Sequence, residues 1–222
     1  FFGWPQDLTS IAAVCRARGI KLLEDCALAL FSVSAGAVGD GAAYSLTKTL
    51  AVPDGGVAAW NQSAATRERR SPGTKRTLRR CASLAKRDVI RRTSWVGVRN
   101  RMAIEKVAGN LARPGEGGER PTMPANYFFS EFDQCAGCSR CTRGAIGRVS
   151  EAEVRRARRE NYVALARELS GVAAVQPLFA SLPEGVCPLV MPVVVNDRVK
   201  WVTELNRAGI DAIAWWAGYH PA

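Results

Sequence analysis

The chain is poor in histidine and lysine, and it has no long apolar run. Its 222 residues include a single histidine, and only six of the 31 basic residues are lysine. No stretch of 18 or more uncharged apolar residues occurs, so the sequence predicts no transmembrane helix. The chain begins with neither an initiator methionine nor a signal-like segment, and we expect it to be a fragment of a longer protein.

The net charge is strongly positive, but because it comes mostly from arginine it is weak evidence for nucleic-acid binding. The net charge of +11 comes almost entirely from arginine. With abundant alanine and glycine, this bias is typical of GC-rich codon usage and is weaker evidence for nucleic-acid binding than the charge suggests. Seven cysteines, an odd number without a secretory signal, favour a reducing, cytoplasmic location over a disulfide framework.

The first 60 residues predict an α/β fold, because helix, glycine and strand signals alternate along them. Residues 7–18 place apolar side chains on one helical face, and Gly19 follows as a helix stop. The segment 20–24 is predicted to be a buried strand, and further short strands are predicted at 42–45 and 55–60.

A basic helix and a linker are predicted next. Residues 67–101 carry thirteen Arg and Lys against two acidic residues, with apolar residues at helical spacing, so we expect an amphipathic helix with a basic face. Residues 113–126 are rich in Pro and Gly and are predicted to be a linker. The predicted domains are therefore 1–112 and 127–222, on either side of that linker.

The C-terminal part predicts a second α/β unit. Ser150 and Glu153 have the spacing of a capping box at the start of a helix. The predicted elements, in chain order, are a helix over 151–169, a proline-interrupted buried strand over 186–195, a helix over 197–208 and a strand over 210–216.

One lysine in the first part is a candidate for chemistry. Lys48 lies shortly before the glycine pair Gly55-Gly56, while Asp25 and Ser45 each end a predicted strand. Open α/β sheets gather ligand-binding groups at the carboxyl ends of their strands. An amine, a carboxylate and a hydroxyl are the groups that pyridoxal phosphate (PLP) needs for its Schiff base, its ring nitrogen and its phosphate. The residues alone leave open the alternative that Lys48 is a structural lysine at the surface.

The segment 19–60 resembles the DegT/DnrJ/EryC1/StrS aminotransferases, PLP enzymes that aminate sugars. The matching motifs are Glu24-Asp25-Cys26-Ala27, the turn Gly36-Ala37-Val38-Gly39-Asp40, Ser45, Lys48 and Gly55-Gly56. More weakly, residues 155–171 resemble the helix that opens the family's small domain, and residues 209–216 resemble a later strand of it.

The resemblance implies a type I PLP-dependent transferase fold of the aspartate aminotransferase kind, with an incomplete large domain and a C-terminal small α/β domain. It implies that Lys48 is the catalytic Schiff-base lysine, that Asp25 pairs with the pyridinium nitrogen and that Ser45 binds the cofactor phosphate. The implied reaction transfers an amino group from glutamate to a nucleotide-linked keto-sugar, in polysaccharide or secondary-metabolite biosynthesis. The implied assembly is a homodimer.

Two alternatives from other functional classes stay open. Leu28 stands where many relatives have Gln or His, which favours a non-catalytic or truncated relative with a binding or regulatory role. The basic stretch 67–101 suggests a nucleic-acid-binding protein, although Trp95 is its one aromatic residue. Peripheral contact of this stretch with an anionic membrane surface is a further interpretation.

Two remaining motifs are weaker candidates for a site. Cys135, Cys138 and Cys141 have the spacing that begins some iron–sulfur and zinc sites, but no fourth ligand follows, and we predict no metal. Trp216 and His220 are candidates for lining a sugar-binding cleft, with packing at an interface as the alternative.

Overall fold

The structure, a computed structural model, describes residues 1–61, 72–92 and 136–214. These residues fall into two compact units. The first contains the described residues of Phe1–Leu84 and Cys135–Val194, and the second those of Ala85–Gln134 and Val195–Ala222. The predicted linker at 113–126 lies outside the described residues, and the predicted domain division stays a prediction.

Helices and strands are mixed throughout, which confirms the mixed α/β character predicted from the sequence. The elements in chain order are α1 (Thr9–Ala17), β1 (Leu23–Asp25), β2 (Gly41–Ser45), α2 (Leu46–Thr49), β3 (Gly56–Trp60), α3 (Thr74–Arg92), α4 (Arg140–Ile146), α5 (Glu151–Leu169), β4 (Val175–Pro177), β5 (Val193–Val195) and α6 (Arg198–Arg207).

Strands β1, β2 and β3 form one three-stranded sheet in that order. β1 runs parallel to β2, with Asp25 opposite Ala43, and β3 runs antiparallel to β2, with Gly56 opposite Ser45. The prediction that the first strand is buried was wrong, because Leu23 is 61% exposed. Leu23 lies on the same sheet face as Asp25 and its partner Ala43, which are exposed as well, so the described residues leave this face uncovered.

The predicted first helix is confirmed as α1. Asp7 stabilises its start by accepting hydrogen bonds from the Thr9 hydroxyl at 2.6 Å and the Thr9 N–H at 3.0 Å, and these bonds lower the pKa of Asp7. Gly19, with φ of +65°, follows the helix at the predicted stop. Ala12 is the buried residue of α1, whereas Ile11 is exposed.

The helix predicted over 151–169 is confirmed as α5. The Ser150 hydroxyl accepts the Glu153 N–H at 3.3 Å, which satisfies one of the unpaired donors at the helix start. In the second unit α6 confirms the helix predicted over 197–208: Asp197 accepts the Lys200 N–H at 2.9 Å, and Gly209, with φ of +86°, follows the last turn.

Two strands predicted for the C-terminal part were wrong in extent. Only Val193–Val195 of the predicted strand 186–195 is extended and paired, because Pro188 and Pro192 have no N–H to donate to a ladder. Residues 210–214 form no strand, and 215–216 lie outside the described residues. In this segment the Ala212 carbonyl accepts a hydrogen bond from the Asn206 side chain at 2.7 Å, which turns the chain back onto α6.

The basic stretch 67–101 is described only over 72–92, and there α3 confirms a helix. Leu78, one of the apolar residues at helical spacing, is 63% exposed. Across the part of the chain that the structure describes, no helix combines the length and the apolar character needed to cross a membrane.

Aromatic side chains pack the N-terminal segment against α5. The buried Trp4 stacks on Phe179 with ring centroids 4.2 Å apart and an interplanar angle of 13°. Tyr162 of α5 lies 5.2 Å from the same indole, and its hydroxyl donates to the Phe179 carbonyl at 3.3 Å. Burial raises the pKa of Tyr162, which keeps this hydroxyl protonated as a donor.

Three arginines of α5 hold the loops of the first unit through their carbonyl oxygens. Arg155, Arg158 and Arg159 are spaced so that they share one side of the helix. Their acceptors are the carbonyls of Phe31 (3.0 Å), Thr49 (2.8 Å), Pro183 (2.7 Å), Val186 (2.9 Å), Pro188 (3.3 Å) and Leu189 (2.9 Å). These charged donors therefore bind carbonyls of loops and, at Thr49, a carbonyl at the end of a helix.

A buried carboxylate joins the segment after α2 to the start of α4. Asp54 is only 7% exposed and accepts hydrogen bonds from the Thr142 hydroxyl at 2.7 Å, the Ser139 N–H at 2.9 Å and the Ser139 hydroxyl at 3.1 Å. Desolvation raises the pKa of Asp54, but the hydrogen bonds from Ser139 and Thr142 outweigh it and the pKa lies below its ordinary value of 3.8. We call Asp54, Ser139 and Thr142 the Asp54 cluster.

The residue after Asp54 must be glycine for this junction to close. Gly55 has φ of +107°, a region that other residues rarely adopt. A Cβ at this position would lie 2.9 Å from Leu46 Cδ1 and 3.2 Å from Thr142 Cγ2. Close packing and a positive φ therefore explain why the first residue of the pair Gly55-Gly56 is a glycine.

We expect the substitution Asp54→Ala to lower the free energy of unfolding by about 2–4 kcal/mol, because the buried Ser139 N–H loses its acceptor and the Ser139 and Thr142 hydroxyls lose their carboxylate partner. Since the folded-state pKa is depressed, the contribution of Asp54 is fully present above about pH 4 and is lost as the pH falls through the folded value. Urea unfolding of the wild type and the variant at a series of pH values measures both effects.

Asp197→Ala is the matched control, because Asp197 is an exposed helix cap and its loss should cost only about 1 kcal/mol. A difference between wild type and Asp54→Ala that stays constant or grows towards acid would contradict this account.

Candidate functional site

The structure brings Asp25 and Ser45 to the same edge of the sheet. Asp25 ends β1 and pairs with Ala43, and Ser45 ends the neighbouring parallel strand β2 two residues further on. Because side chains alternate along a strand, Ser45 shares the sheet face of Ala43, and therefore that of Asp25. This is the arrangement expected of ligand-binding groups in an open α/β sheet.

Asp25 and Ser45 retain polar capacity towards a ligand. One carboxylate oxygen of Asp25, Oδ1, accepts the Ala27 N–H at 3.0 Å, and no bond to its second oxygen arises from the described residues. Asp25 is exposed and Ser45 is half-buried. The Ser45 hydroxyl lies 3.2 Å from the Thr47 hydroxyl, and a rotation would free it to donate elsewhere.

Lys48 follows at once in the single-turn helix α2. Its side chain is exposed, and it makes no hydrogen bond or ion pair with the residues that the structure describes. The amine is therefore available for covalent or proton-transfer chemistry, and no buried partner charge holds it in place. Lys48 lies at the rim of the sheet edge and not inside an apolar core.

Helix α2 is fixed at both ends even though Lys48 is not. At its start Leu46 is buried, and the Leu46 N–H donates to the Gly55 carbonyl at 3.2 Å. At its end the Thr49 carbonyl accepts the Arg158 guanidinium at 2.8 Å. These contacts position the Cα of Lys48. The sequence indicates Lys48 as a site candidate, but it does not show that Arg158 of α5 holds the backbone of α2.

The turn between β1 and β2 is organised by Glu24. Its carboxylate accepts three backbone N–H groups, those of Gly36 at 3.0 Å, Val38 at 2.8 Å and Gly39 at 2.6 Å. Gly36 has φ of +80°, and a Cβ there would collide with the Tyr44 hydroxyl. Because Glu24 precedes Asp25 directly, closing this turn also fixes the backbone that carries Asp25.

Asp40 fastens the same turn to the start of β1. It accepts the Lys21 amine at 2.8 Å and the Leu22 N–H at 3.0 Å, and the hydrogen bond from Lys21 is the main cause that lowers the pKa of Asp40. On the other side Asn61 donates from its side chain to the Gly39 carbonyl at 2.5 Å. The motif residues Glu24, Gly36, Gly39 and Asp40 are thus structural supports of the site.

The remaining sequence candidates are not brought to this edge by the described structure. Trp216, His220 and Cys135 lie outside the described residues. Cys138 is half-buried and Cys141 is exposed, and within the described ranges no group of three or more His, Cys, Asp or Glu side chains is arranged to hold a metal ion.

Sequence reasoning missed the support that α5 gives to the candidate site. In the sequence Arg158 belongs to the general arginine excess, and only its spacing from Arg155 and Arg159 distinguishes it. It also missed an apolar groove of about 850 Å³ between the end of α5 and residues 171–182. Neither Asp25, Ser45 nor Lys48 lines this groove.

Comparison with known proteins identifies the family to which the N-terminal part is similar. The sequence model of the DegT/DnrJ/EryC1/StrS aminotransferase family matches residues 1–106. The resemblance found in the motifs from Glu24 to Gly56 is thereby confirmed, while that of residues 155–171 and 209–216 lies outside the match and stays a prediction. No curated protein and no solved structure matches the chain.

We expect Arg158→Met to lower the free energy of unfolding by about 2–3 kcal/mol, because three carbonyls lose a charged donor while the aliphatic stem is kept. The exchange protection of the Leu50 amide, which donates to Leu46 at 2.8 Å across α2, should fall as well. Urea unfolding and hydrogen exchange measure the two effects.

The control Arg156→Met removes an exposed i,i+4 ion pair with Glu160 on the same helix, and its effect should stay within about 0.5 kcal/mol. If the two variants lose equal stability, or if the Leu50 amide is unaffected in Arg158→Met, Arg158 does not support α2.

We expect Glu24→Gln to destabilise the protein by about 1.5–3 kcal/mol, since an amide NH₂ would replace one of two oxygens that face backbone donors. Thermal unfolding of this variant beside Glu168→Gln, an exposed site, provides the comparison. A Glu24→Gln transition that coincides with the wild-type transition would exclude this role for Glu24.

Proposed function

We propose that residues 1–106, which match the DegT/DnrJ/EryC1/StrS aminotransferase family, carry the cofactor lysine and its partners in the back part of a PLP-dependent aminotransferase. The observation that carries the proposal is the edge at which Asp25 and Ser45 end neighbouring parallel strands and Lys48 follows directly. The finer fold, an incomplete large domain of the type I PLP-dependent kind with a small C-terminal domain, is part of the same proposal.

The residues at this edge fit the chemistry of PLP. The cofactor needs an anionic partner for its ring nitrogen, a donor for its phosphate and an amine for its aldehyde. Asp25 offers a carboxylate oxygen without a bond from the described residues, Ser45 a rotatable hydroxyl and Lys48 an exposed amine. All three side chains are accessible from solvent, so the described residues provide one side of a cofactor site and do not enclose it.

Each residue has a distinct task in the proposed reaction. When bound, PLP supplies an electron sink for the pair released as the substrate Cα–H bond breaks. Asp25 would accept a hydrogen bond from the protonated ring nitrogen and so keep that proton in place. Ser45 would donate to the phosphate. Lys48 would hold the cofactor through its amine. Once the substrate amine has displaced it, Lys48 would take the proton from the substrate Cα as a general base and then return it as a general acid.

The substrates follow from the family and not from the described geometry. We propose glutamate as amino donor and a nucleotide-linked keto-sugar as acceptor, with a homodimer as the working assembly and the cytoplasm as its location. Contributions of Trp216 and His220 to the sugar site stay predictions.

A non-catalytic relative with a binding or regulatory role is the second candidate function. The exposure of Lys48 favours it, because a catalytic lysine usually works in a site that excludes water. Leu28, half-buried at the position where many relatives have a polar side chain, points the same way. The two candidates differ in one property, selective attachment of PLP at Lys48.

We expect PLP, after borohydride reduction, to leave a stable pyridoxyl group on Lys48 at concentrations where other lysines stay unlabelled. Peptide mass mapping locates the group. Lys48→Arg should abolish the label, while Lys200→Arg, at another exposed lysine, should leave it unchanged.

Equal labelling of Lys48 and Lys200 would contradict a dedicated site in this chain. Selective labelling of Lys48 would favour the aminotransferase, and its absence would favour the non-catalytic role.

A further inference from the structure

One side of helix α3 is apolar and faces solvent. Leu78, Ala82, Ala85 and Val89 follow one another at intervals of three and four residues, so they lie along a single side of the helix. All four are exposed, Leu78 to 63% and Val89 to 57%. Single apolar residues scattered on a surface need no explanation, whereas a continuous row indicates a partner. We call these four residues the α3 stripe.

The α3 stripe is not the side by which the helix packs. Thr77, Cys81 and Leu84 are half-buried and lie on a different side of α3. Beside them the Arg80 guanidinium donates to the Pro53 carbonyl at 3.4 Å, which anchors this side of the helix. Since each residue turns a helix by about 100°, the α3 stripe lies about 120° away from the anchored side. The stripe is therefore directed away from the contacts that hold α3.

Basic residues border the α3 stripe. Lys75, Arg79 and Lys86 are exposed and share the adjoining side of the helix. None of the three makes a hydrogen bond or ion pair with the residues that the structure describes. In sequence α3 carries eight Arg and Lys against one acidic residue, Asp88, and like charges four residues apart repel each other until a partner neutralises them. The exposed surface of α3 thus combines an apolar row with a strongly cationic one.

We propose that this surface of α3 binds a lipid bilayer that contains anionic phospholipids. The α3 stripe would enter the boundary between headgroups and acyl chains, while Lys75, Arg79 and Lys86 bind the headgroup phosphates beside it. The proposal involves neither PLP nor Lys48, so it stands independently of the proposed aminotransferase function.

The apolar stripe favours lipid over nucleic acid as the partner. The phosphates of a nucleic acid would neutralise the basic residues, but they offer no apolar surface to Leu78 and Val89. Proteins that bind single strands stack the bases on aromatic side chains, and α3 contains no aromatic residue. A membrane surface presents anionic groups directly above an apolar layer, which matches both rows of the helix.

The first test is flotation of the full chain with vesicles of two compositions. We expect binding to vesicles of phosphatidylserine and phosphatidylcholine in equal amounts, and none to pure phosphatidylcholine. High salt should release the protein, because it screens the attraction between charges. Lys75→Glu should weaken binding about tenfold. Lys200→Glu is the matched control, since it makes the same charge change at an exposed lysine near the start of α6, and it should bind as the wild type does.

The second test adds apolar surface to the α3 stripe. Ala82→Leu should tighten binding to the phosphatidylserine vesicles about fivefold, because the larger side chain buries more apolar area in the interface. Ser83→Leu introduces the same side chain at the next exposed position, outside the stripe, and should leave the affinity unchanged. A gain of affinity cannot arise from a folding defect, so this pair of variants does not depend on the stability of either protein.

Several results would overturn the proposal. These are failure of the wild type to bind the phosphatidylserine vesicles, equal binding to both vesicle compositions, and equal effects of Lys75→Glu and Lys200→Glu or of Ala82→Leu and Ser83→Leu. Salt-sensitive binding to duplex DNA without binding to vesicles would assign the basic row to nucleic acid instead. A dimer in analytical ultracentrifugation that Leu78→Ser dissociates would assign the α3 stripe to a second copy of the chain.

Discussion

The first unit depends on one buried carboxylate. Asp54 lies between Lys48 and the sheet strand β3, yet its partners Ser139 and Thr142 belong to a segment more than eighty residues later. A charge with so little exposure is tolerable only when hydrogen bonds replace its hydration, and here they do so well enough to depress its pKa. The Asp54 cluster thereby fixes where the start of α4 meets the glycine pair.

The candidate site takes its shape from supports of the same kind. Glu24 closes the turn that precedes β2, and Arg158 holds the end of α2, so both flanks of Lys48 are secured by charged groups bonded to the backbone. The site residues themselves are left accessible. The backbone around Lys48 is therefore well defined although the Lys48 side chain is exposed. Substitutions of the site residues can thus change the chemistry at the sheet edge without removing the contacts that hold the fold.

The sequence predicted the local elements of this arrangement well and its long-range supports poorly. The helix after Ser150, the stop at Gly19 and the strands around Ala43 and Ala58 follow from caps, glycines and alternation, which act over a few residues. The order of Asp25, Ser45 and Lys48 along one sheet edge followed from the strand ends. The partners of Asp54 and Arg158 could not be predicted, since no local pattern shows which loop a distant side chain will reach. The exposure of Leu23 was missed because a short apolar run does not reveal which face of its strand other elements cover.

The central claim is that the edge formed by Asp25, Ser45 and Lys48 binds PLP through specific groups. Equilibrium dialysis with PLP tests it most directly when the wild type is compared with Asp25→Asn and with Asp197→Asn, a carboxylate outside the site. The account predicts that Asp25→Asn weakens binding about tenfold, the cost of losing one charged hydrogen bond, while Asp197→Asn binds as the wild type does. Equal affinities of all three proteins for PLP would contradict it.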